Sequence, residues 1–189
     1  MRRIVYLIDA IVARVFFMVL GLPRPCGIKL LGVPIVRVSD TGNLLIGEDV
    51  VLCSSAARNS VGLIQRVTIR VVGGGHIIIG NRTGISGATI VARYRVEIGE
   101  DVLIGSGALI MDNDAHSLNA DLRRNSGREG VASKPVFIGR DCFIGARAII
   151  LKGTRIGAGS VVAAGAVVSG VFPEGAMIVG NPAVDQKTR

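Results

Sequence analysis

The sequence predicts an all-β fold, a parallel β-helix, with one helix at its N-terminus and one long loop extruded from the prism. Two observations support this prediction: aliphatic residues recur every six positions in several blocks, and the 189 residues include 26 glycines but no tryptophan. Hydrophobic residues make up 49% of the chain and aromatic residues only 4%. Such a core consists of Val, Ile, Leu and Ala between glycine-dependent turns, which is typical of repetitive β architectures rather than helix bundles.

Residues 1–22 are predicted to form an amphipathic helix that ends before Pro23. The segment is apolar, but Asp9 and Arg14 interrupt it, whereas a membrane-spanning helix needs about 20 apolar residues with few charges. The interruption also argues against a secretory signal peptide. We favour a peripheral contact with the inner face of the plasma membrane, with arginines facing lipid phosphates. The alternative is a helix that packs on the protein's own oligomer.

Residues 23–183 carry the six-residue repeat, and residues 184–189 form a C-terminal tail. The longest run at this interval is Ile138, Ile144, Ile150, Ile156, Val162, Val168 and Glu174. Shorter runs are Ile98, Ile104 and Ile110; Ile79, Ile85 and Val91; and Ile46 with Leu52. An α-helix repeats every 3.6 residues and cannot produce this period, whereas a parallel β-helix stacks short strands at it. We expect each aliphatic residue to point inward and Glu174 to mark the last coil.

Two segments depart from the period of six. The interval from Val91 to Ile98 is seven residues, which predicts a one-residue bulge, and the interval from Ile110 to Ile138 is 28 residues. Because 28 is not a multiple of six, residues 113–135 are predicted to leave the prism as a polar loop. Residues 53–66 are expected to form a second excursion. Long polar loops on a regular scaffold are usually functional.

Four stretches carry a resemblance to a known family: IIIGNRTGISGATI (77–90), VEIGEDVLIGSGALIMDNDAHSL (96–118), KPVFIGRDCFIGARAII (134–150) and VGNPA (179–183). The chain resembles the hexapeptide-repeat acyltransferases over roughly residues 40–183, and more closely the bacterial polysaccharide and sugar O-acetyltransferases. The resemblance implies a left-handed β-helix, a homotrimer with sites between neighbouring prisms, acetyl-CoA as the acyl donor and a carbohydrate acceptor, for which a lipid-linked form is one option.

The resemblance makes His116 the candidate general base, because family members use a histidine at the base of this loop. A sugar hydroxyl is a poor nucleophile at neutral pH, and a neutral imidazole can take its proton during attack on the thioester. Asp112 and Asp114 are candidates to orient the imidazole, with turn formation as the alternative. The backbone N–H of Ala146 is the candidate donor to the developing oxyanion.

The resemblance also places residues at the two substrates. For acetyl-CoA these are Ala146, Ala164, Ser169 and the tail cation Lys187, which would face a phosphate. For the acceptor, Ser86 lies within the recognisable motif, with a corner hydroxyl as the alternative. Arg123 and Arg124 are candidates because they are loop cations that could contact an anionic acceptor. A solvated basic surface is the alternative for Lys187.

The net charge and the cysteine and histidine content bear on the binding partners, the location and the metal content that we expect. The net charge is +8, which favours anionic partners, but the basic residues are scattered with few aromatics, so nucleic acid is not expected. The three cysteines are far apart and form neither a disulfide framework nor a zinc ribbon, which favours a reducing, cytoplasmic location. Two histidines cannot supply a three-histidine zinc site, and no metal is expected.

The sequence therefore predicts an acetyl-CoA-dependent O-acetyltransferase that acts on a sugar or surface-polysaccharide precursor by direct transfer in a ternary complex. The first alternative is an N-acetyltransferase for an amino sugar, because the same base chemistry serves both reactions. The second is a non-catalytic, membrane-associated β-helix scaffold.

Overall fold

The computed structural model describes residues 2–124 and 129–188. It contains helices α1 (Arg2–Val19) and α2 (Ala120–Arg124). The strands are β1 (Lys29–Leu31), β2 (Ile35–Val38), β3 (Asn43–Ile46), β4 (Val51–Cys53), β5 (Thr68–Val71), β6 (His76–Ile79), β7 (Gly84–Ser86), β8 (Thr89–Ala92), β9 (Arg95–Ile98), β10 (Leu103–Ile104), β11 (Leu109–Met111), β12 (Val136–Ile138), β13 (Phe143–Ile144), β14 (Ile149–Ile150), β15 (Arg155–Ile156), β16 (Val161–Val162), β17 (Val167–Val168), β18 (Val171–Phe172), β19 (Met177–Gly180) and β20 (Ala183–Asp185).

Three sheets form the faces of a prism, and every third strand returns to the same sheet. Sheet A has the order β1-β4-β7-β10-β13-β16-β19-β20, sheet B has β17-β14-β11-β8-β5-β2, and sheet C has β18-β15-β12-β9-β6-β3. Successive strands pair in parallel, except that β20 folds back antiparallel on β19. This is the predicted parallel β-helix.

The core consists of aliphatic columns that run along the prism axis. The column of sheet A is Leu30, Leu52, Ile85, Ile104, Ile144, Val162 and Ile178. The column of sheet C is Ile46, Ile79, Ile98, Ile138, Ile156 and Phe172. Full burial of each such side chain contributes about 1.5–3 kcal/mol. The columns explain the period of six, because each repeat must deliver one inward side chain in register.

The third column corrects the expected position of Val91. Sheet B stacks Val36, Ile69, Ile90, Ile110, Ile150 and Val168. Ile90 is fully buried, whereas Val91 is half-buried on the outer face. The interval from Ile85 to Ile90 is therefore five residues instead of six. The extra length lies between Ile90 and Ile98, which are eight residues apart, and not in a one-residue bulge after Val91.

The C-terminal coil also differs from the expectation. Phe172, not Glu174, occupies the inward position opposite Ile156, because the connection after Val168 is two residues shorter than a full repeat. Glu174 lies exposed in the following turn, and Ile178 continues the column of sheet A. The predicted tail begins within β20, whose Asp185 accepts hydrogen bonds from the backbone N–H groups of Met177 and Lys187 at 3.1 and 3.0 Å.

Helix α1 covers the N-terminal end of the prism beside β1. Ala13 and Phe17, one turn apart, are buried in the common core. Over residues 11–19, the exposed apolar side chains of α1 are Ile11, Val15, Met18 and Val19. This part of the helix therefore packs on its own chain through one face and leaves a second apolar face uncovered. In the part of the chain that the structure describes, no helix is both long and apolar enough to cross a membrane.

Candidate active site

The long loop leaves the prism after Met111 and returns at Val136. Its two ends are joined like an antiparallel ladder: Lys134 N–H donates to the carbonyl of Asp112 at 2.8 Å, and Asp114 N–H donates to the carbonyl of Ala132 at 3.1 Å. The base of the loop is therefore fixed to the prism at the edge between sheets B and C. Residues 125–128, which include the loop residue Arg128, lie outside the described residues.

Asp112 is fully buried, and backbone donors engage its carboxylate. It accepts hydrogen bonds from the N–H groups of Arg93 (2.9 Å), Tyr94 (2.7 Å) and Arg95 (2.6 Å), and from the amide of Asn113 (2.8 Å). Both oxygens thus hold the corner of the preceding coil. These four donors indicate that Asp112 positions the corner of the prism and the start of the loop, while its role as a partner of the imidazole stays a prediction.

Asp114 joins the loop to the following coil. Its Oδ1 forms an ion pair with Nζ of Lys152, and the two side chains are only 17% and 26% exposed. Its Oδ2 is buried and has no hydrogen-bond donor among the described residues. Asp114 is therefore the carboxylate of the pair that retains a free acceptor atom next to the loop histidine.

His116 is exposed at the end of a tight turn. Its N–H donates to the carbonyl of Asp114 at 2.6 Å, and Asn113 Oδ1 accepts the N–H of Ala115 at 2.9 Å. Ala115 has a φ of +59°, a left-handed conformation that an alanine adopts only at a cost. Within the described residues the imidazole makes no hydrogen bond, so the turn presents it free to solvent.

Ala146 and Ala164 lie at a different edge, between sheets A and B. Neither N–H donates to an acceptor within the described chain, and Ala146 accepts a hydrogen bond from Gly165 at 2.9 Å. A cleft of about 380 Å³ adjoins Ala146; it is lined by Val61, Gly62, Leu63, Ile64, Ser106, Ala146 and Arg147. The corner thus offers the N–H of Ala146, which has no acceptor among the described residues, beside a partly apolar cleft.

One chain does not bring His116 and Ala146 together. They lie at opposite edges of sheet B, and a six-residue repeat spans up to about 20 Å when extended. Ser169 is exposed at the edge that carries His116. Lys187 lies at the third edge, where its ammonium donates to the carbonyl of Gly175. The predicted donor-binding residues are therefore distributed over three edges of one prism.

The predicted acceptor residues also lie apart. Ser86 is half-buried on the outer face of sheet A, in a cleft of about 230 Å³ that Leu103 and Phe143 also line. Arg123 donates to the carbonyls of Ser117 and Leu118 at 2.9 and 3.3 Å. Arg124 pairs with Asp121 at 2.7 Å. Arg123 thus stabilises the loop itself, and the charge of Arg124 is balanced at the surface.

Comparison with known proteins assigns the family. The family model described as "Hexapeptide repeat of succinyl-transferase" matches residues 135–169. A probable acetyltransferase of Mycobacterium tuberculosis is 34% identical over 116 residues, which are 61% of this chain and 38% of that protein. A hexapeptide-repeat acetyltransferase of Vibrio cholerae is 32% identical, with a TM-score of 0.53 over 63% of this chain and 69% of that chain. This chain belongs to the hexapeptide-repeat acyltransferase family.

The solved structures of this family share the predicted left-handed β-helix. The V. cholerae protein has also been crystallised with acetyl-CoA, and that structure has a TM-score of 0.55 over 62% of this chain and 63% of that chain. A galactoside acetyltransferase in complex with coenzyme A is 31% identical, with a TM-score of 0.53 over 62% of this chain and 57% of that chain. The aligned part of this chain thus spans 63–69% of the V. cholerae protein, 57% of the galactoside acetyltransferase and 38% of the M. tuberculosis protein.

The sequence analysis of this hexapeptide-repeat acyltransferase did not predict two structural features near the candidate site residues. The excursion after β4 brings Val61 and Ile64 to the corner at Ala146, which only the departure from the repeat could have signalled. Lys152 pairs with Asp114 across 38 positions of sequence. No local pattern marks this pair, because the partners meet only through the stacking of coils.

Proposed function

We propose that the protein is an acetyl-CoA-dependent O-acetyltransferase that acts on a sugar or surface-polysaccharide precursor. The observation that carries this proposal is the exposed turn at His116, which a buried hydrogen-bond network fixes to the prism. Two relatives support acetyl-CoA as the donor: the V. cholerae acetyltransferase was crystallised with acetyl-CoA, and a galactoside acetyltransferase was crystallised with coenzyme A.

His116 serves as general base in the proposed reaction. The imidazole takes the proton of a sugar hydroxyl as its oxygen attacks the acetyl carbon. The N–H of Ala146 donates to the carbonyl oxygen as negative charge develops there. The C–S bond then breaks, and the imidazolium returns the proton to the departing thiolate. Cys53 and Cys142 are buried, and the exposed Cys26 precedes β1 at the N-terminal end of the prism, several coils from the loop of His116. These positions support direct transfer without a cysteine acyl-enzyme.

A homotrimer with shared sites accounts for the separation of His116 and Ala146. In this proposal the B–C edge of one chain faces the A–B edge of its neighbour, so one subunit supplies the base and the other the N–H donors. Sedimentation at assay concentration is expected to give trimers. Mixing inactive His116→Ala and Ala146→Trp proteins under subunit exchange is expected to restore activity, whereas a fully active monomer would contradict the shared site.

Peripheral membrane contact from the cytoplasm is the proposed role of the uncovered face of α1. Ile11, Val15, Met18 and Val19 form an exposed apolar stripe, and Arg14 is exposed beside it. Flotation with vesicles of equal phosphatidylcholine and phosphatidylglycerol tests this. Met18→Gln/Val19→Gln is expected to abolish binding, and the matched control Val171→Gln, which changes a side chain of similar exposure on sheet C, is expected to retain it.

Binding and product chemistry test the function directly. Acetyl-CoA at 100 times its dissociation constant is expected to stabilise the protein by about 2.7 kcal/mol. Thiol release with a panel of sugars then identifies the acceptor. Mild base separates the two reaction types, because it removes an O-acetyl ester and leaves an N-acetyl amide. No stabilisation and no thiol release would favour the non-catalytic scaffold.

A further inference from the structure

Two arginines stand side by side on the outer face of sheet B, near the end of the prism that α1 covers. Arg37 in β2 and Arg70 in β5 are directly paired in the parallel register, and both are exposed. Together with Ser39 and Gly73 of the adjoining corner they line one cleft of about 310 Å³. The two guanidinium groups therefore share a single concave surface.

Neither of these charges is balanced by a carboxylate among the side chains that the structure describes. Over residues 11–124 and 129–187, no carboxylate forms an ion pair with Arg37 or Arg70. Exposed Arg82, by contrast, pairs with both Glu100 and Asp101. Like charges directly opposite each other on adjacent strands destabilise a sheet. A bound anion with several oxygens removes this repulsion, and the planar guanidinium fork matches phosphate oxygens in pairs.

The arginine pair lies on the same edge of sheet B as the catalytic loop. Arg37, Arg70, Val91 and Met111 are consecutive neighbours in register, and Met111 is the last strand residue before the loop of His116. At the usual strand spacing, Arg70 lies about 10 Å and Arg37 about 14 Å from Met111. The pair thus lies between the loop and the end of the prism that carries α1.

We propose that Arg37 and Arg70 bind the diphosphate of the acceptor substrate, a sugar joined through a diphosphate to a lipid. This inference rests on the proposed function, because it assigns a subsite to the acceptor of that reaction. The sugar lies at His116, the diphosphate lies on the two guanidinium groups, and the lipid continues toward the exposed apolar face of α1. The order of these three features along the prism matches the order of the three parts of such a substrate.

Titration calorimetry of the full chain at 0.15 M salt tests the subsite with four probes: inorganic pyrophosphate, farnesyl diphosphate, uridine diphosphate and glycerol 3-phosphate. Farnesyl diphosphate is expected to bind most tightly and the monophosphate most weakly. Arg37→Met/Arg70→Met is expected to weaken diphosphate binding at least tenfold. Arg140→Met, which removes an exposed charge from another corner, is the matched control and is expected to leave binding unchanged.

Each other result overturns part of the proposal. Equal loss in Arg140→Met would show a general charge effect and reject the site. Binding of uridine diphosphate as tight as that of farnesyl diphosphate would reject the lipid link, and equal binding of glycerol 3-phosphate would reject the diphosphate. Thermal stabilisation by acetyl-CoA is measured on the same samples. If acetyl-CoA does not stabilise the protein, the proposed function is rejected, while arginine-dependent diphosphate binding still stands. If acetyl-CoA stabilises the double variant, the fold of that variant is intact.

Discussion

The ammonium of Lys152 and Oδ1 of Asp114 form an ion pair that joins the base of the loop that carries His116 to the next coil of the prism. Lys152 follows β14, which lies directly beside β11 in sheet B, so the pair holds Asp114 against the sheet edge. The carbonyl of Asp114 in turn accepts the N–H of His116. The prism therefore controls the position of His116 through Lys152 without any direct contact between them.

Lys152→Met is expected to lower kcat by about 10- to 100-fold while the KM for acetyl-CoA changes little, because misplacement of the base affects the chemical step. Lys152→Arg is expected to recover part of the loss, since it keeps the charge. Steady-state kinetics with Lys29→Met as the exposed-lysine control checks this. A Lys152→Met enzyme with normal kcat would show that Asp114 is held by other contacts.

His116→Ala is expected to lose at least about 10²-fold in kcat, a typical contribution of a general base. Stabilisation by acetyl-CoA is expected to persist, since the imidazole is exposed and its loss leaves no cavity. His76→Ala removes the other histidine, which is exposed on sheet C, and serves as the control. Full activity of His116→Ala would remove His116 from the mechanism.

Asp112→Ala is expected to destabilise the protein by about 3 kcal/mol or more, because three backbone N–H groups lose their acceptor and each buried unsatisfied group costs about 1–3 kcal/mol. Asp112→Asn is expected to cost less, since an amide oxygen still accepts. Urea unfolding measures both variants, with the exposed Asp121→Asn as control. Equal stability of Asp112→Ala and wild type would contradict the positioning role.

The six-residue repeat could be predicted from the sequence because each repeat shows its own inward residue. The contacts of the candidate site could not be predicted, because they join residues that are far apart in the sequence. The six-residue columns follow from one inward side chain per repeat. Ile90 and Val91 are adjacent and equally suited to the core, so only the stacking on Ile69 and Ile110 decides which is buried. The motif marked Asp112 as a candidate site carboxylate, but it could not show that three of its four donors are backbone N–H groups of residues 93–95, one coil away.

Gly139→Ala is expected to destabilise the protein by about 1–3 kcal/mol through overpacking. A Cβ at Gly139 would lie 2.6 Å from the backbone nitrogen of Ala158 in the next coil, so the coils would have to move apart. Gly74→Ala is the matched control: its nearest atom would be the carbonyl oxygen of Thr41 at 4.0 Å, and its φ is not in the left-handed region. Thermal unfolding of both variants checks this, and equal midpoints would contradict close stacking at the glycine corners.

The buried thiol of Cys142 is expected to make the protein less stable in alkali. Burial raises the pKa of Cys142, and its Sγ–H donates to the carbonyl of Gly157 at 3.2 Å. An unfolded cysteine ionises near pH 8.5, so above that pH the unfolded chain releases a proton that the folded chain retains. The contribution of this thiol is therefore complete below about pH 8.5 and is lost as the pH rises toward the raised pKa.

Urea unfolding between pH 7 and pH 10 measures this loss by comparing wild type with Cys142→Ala. The variant is expected to show a shallower decline of the free energy of unfolding, because it lacks the Cys142 thiol. The contributions of all other titrating groups are the same in both proteins and cancel in the comparison. Cys26→Ser, which changes the exposed thiol, is expected to follow wild type. Iodoacetamide is likewise expected to label Cys26 in the native protein but Cys142 only after unfolding. Parallel declines in wild type and Cys142→Ala would mean that the thiolate is accommodated in the fold.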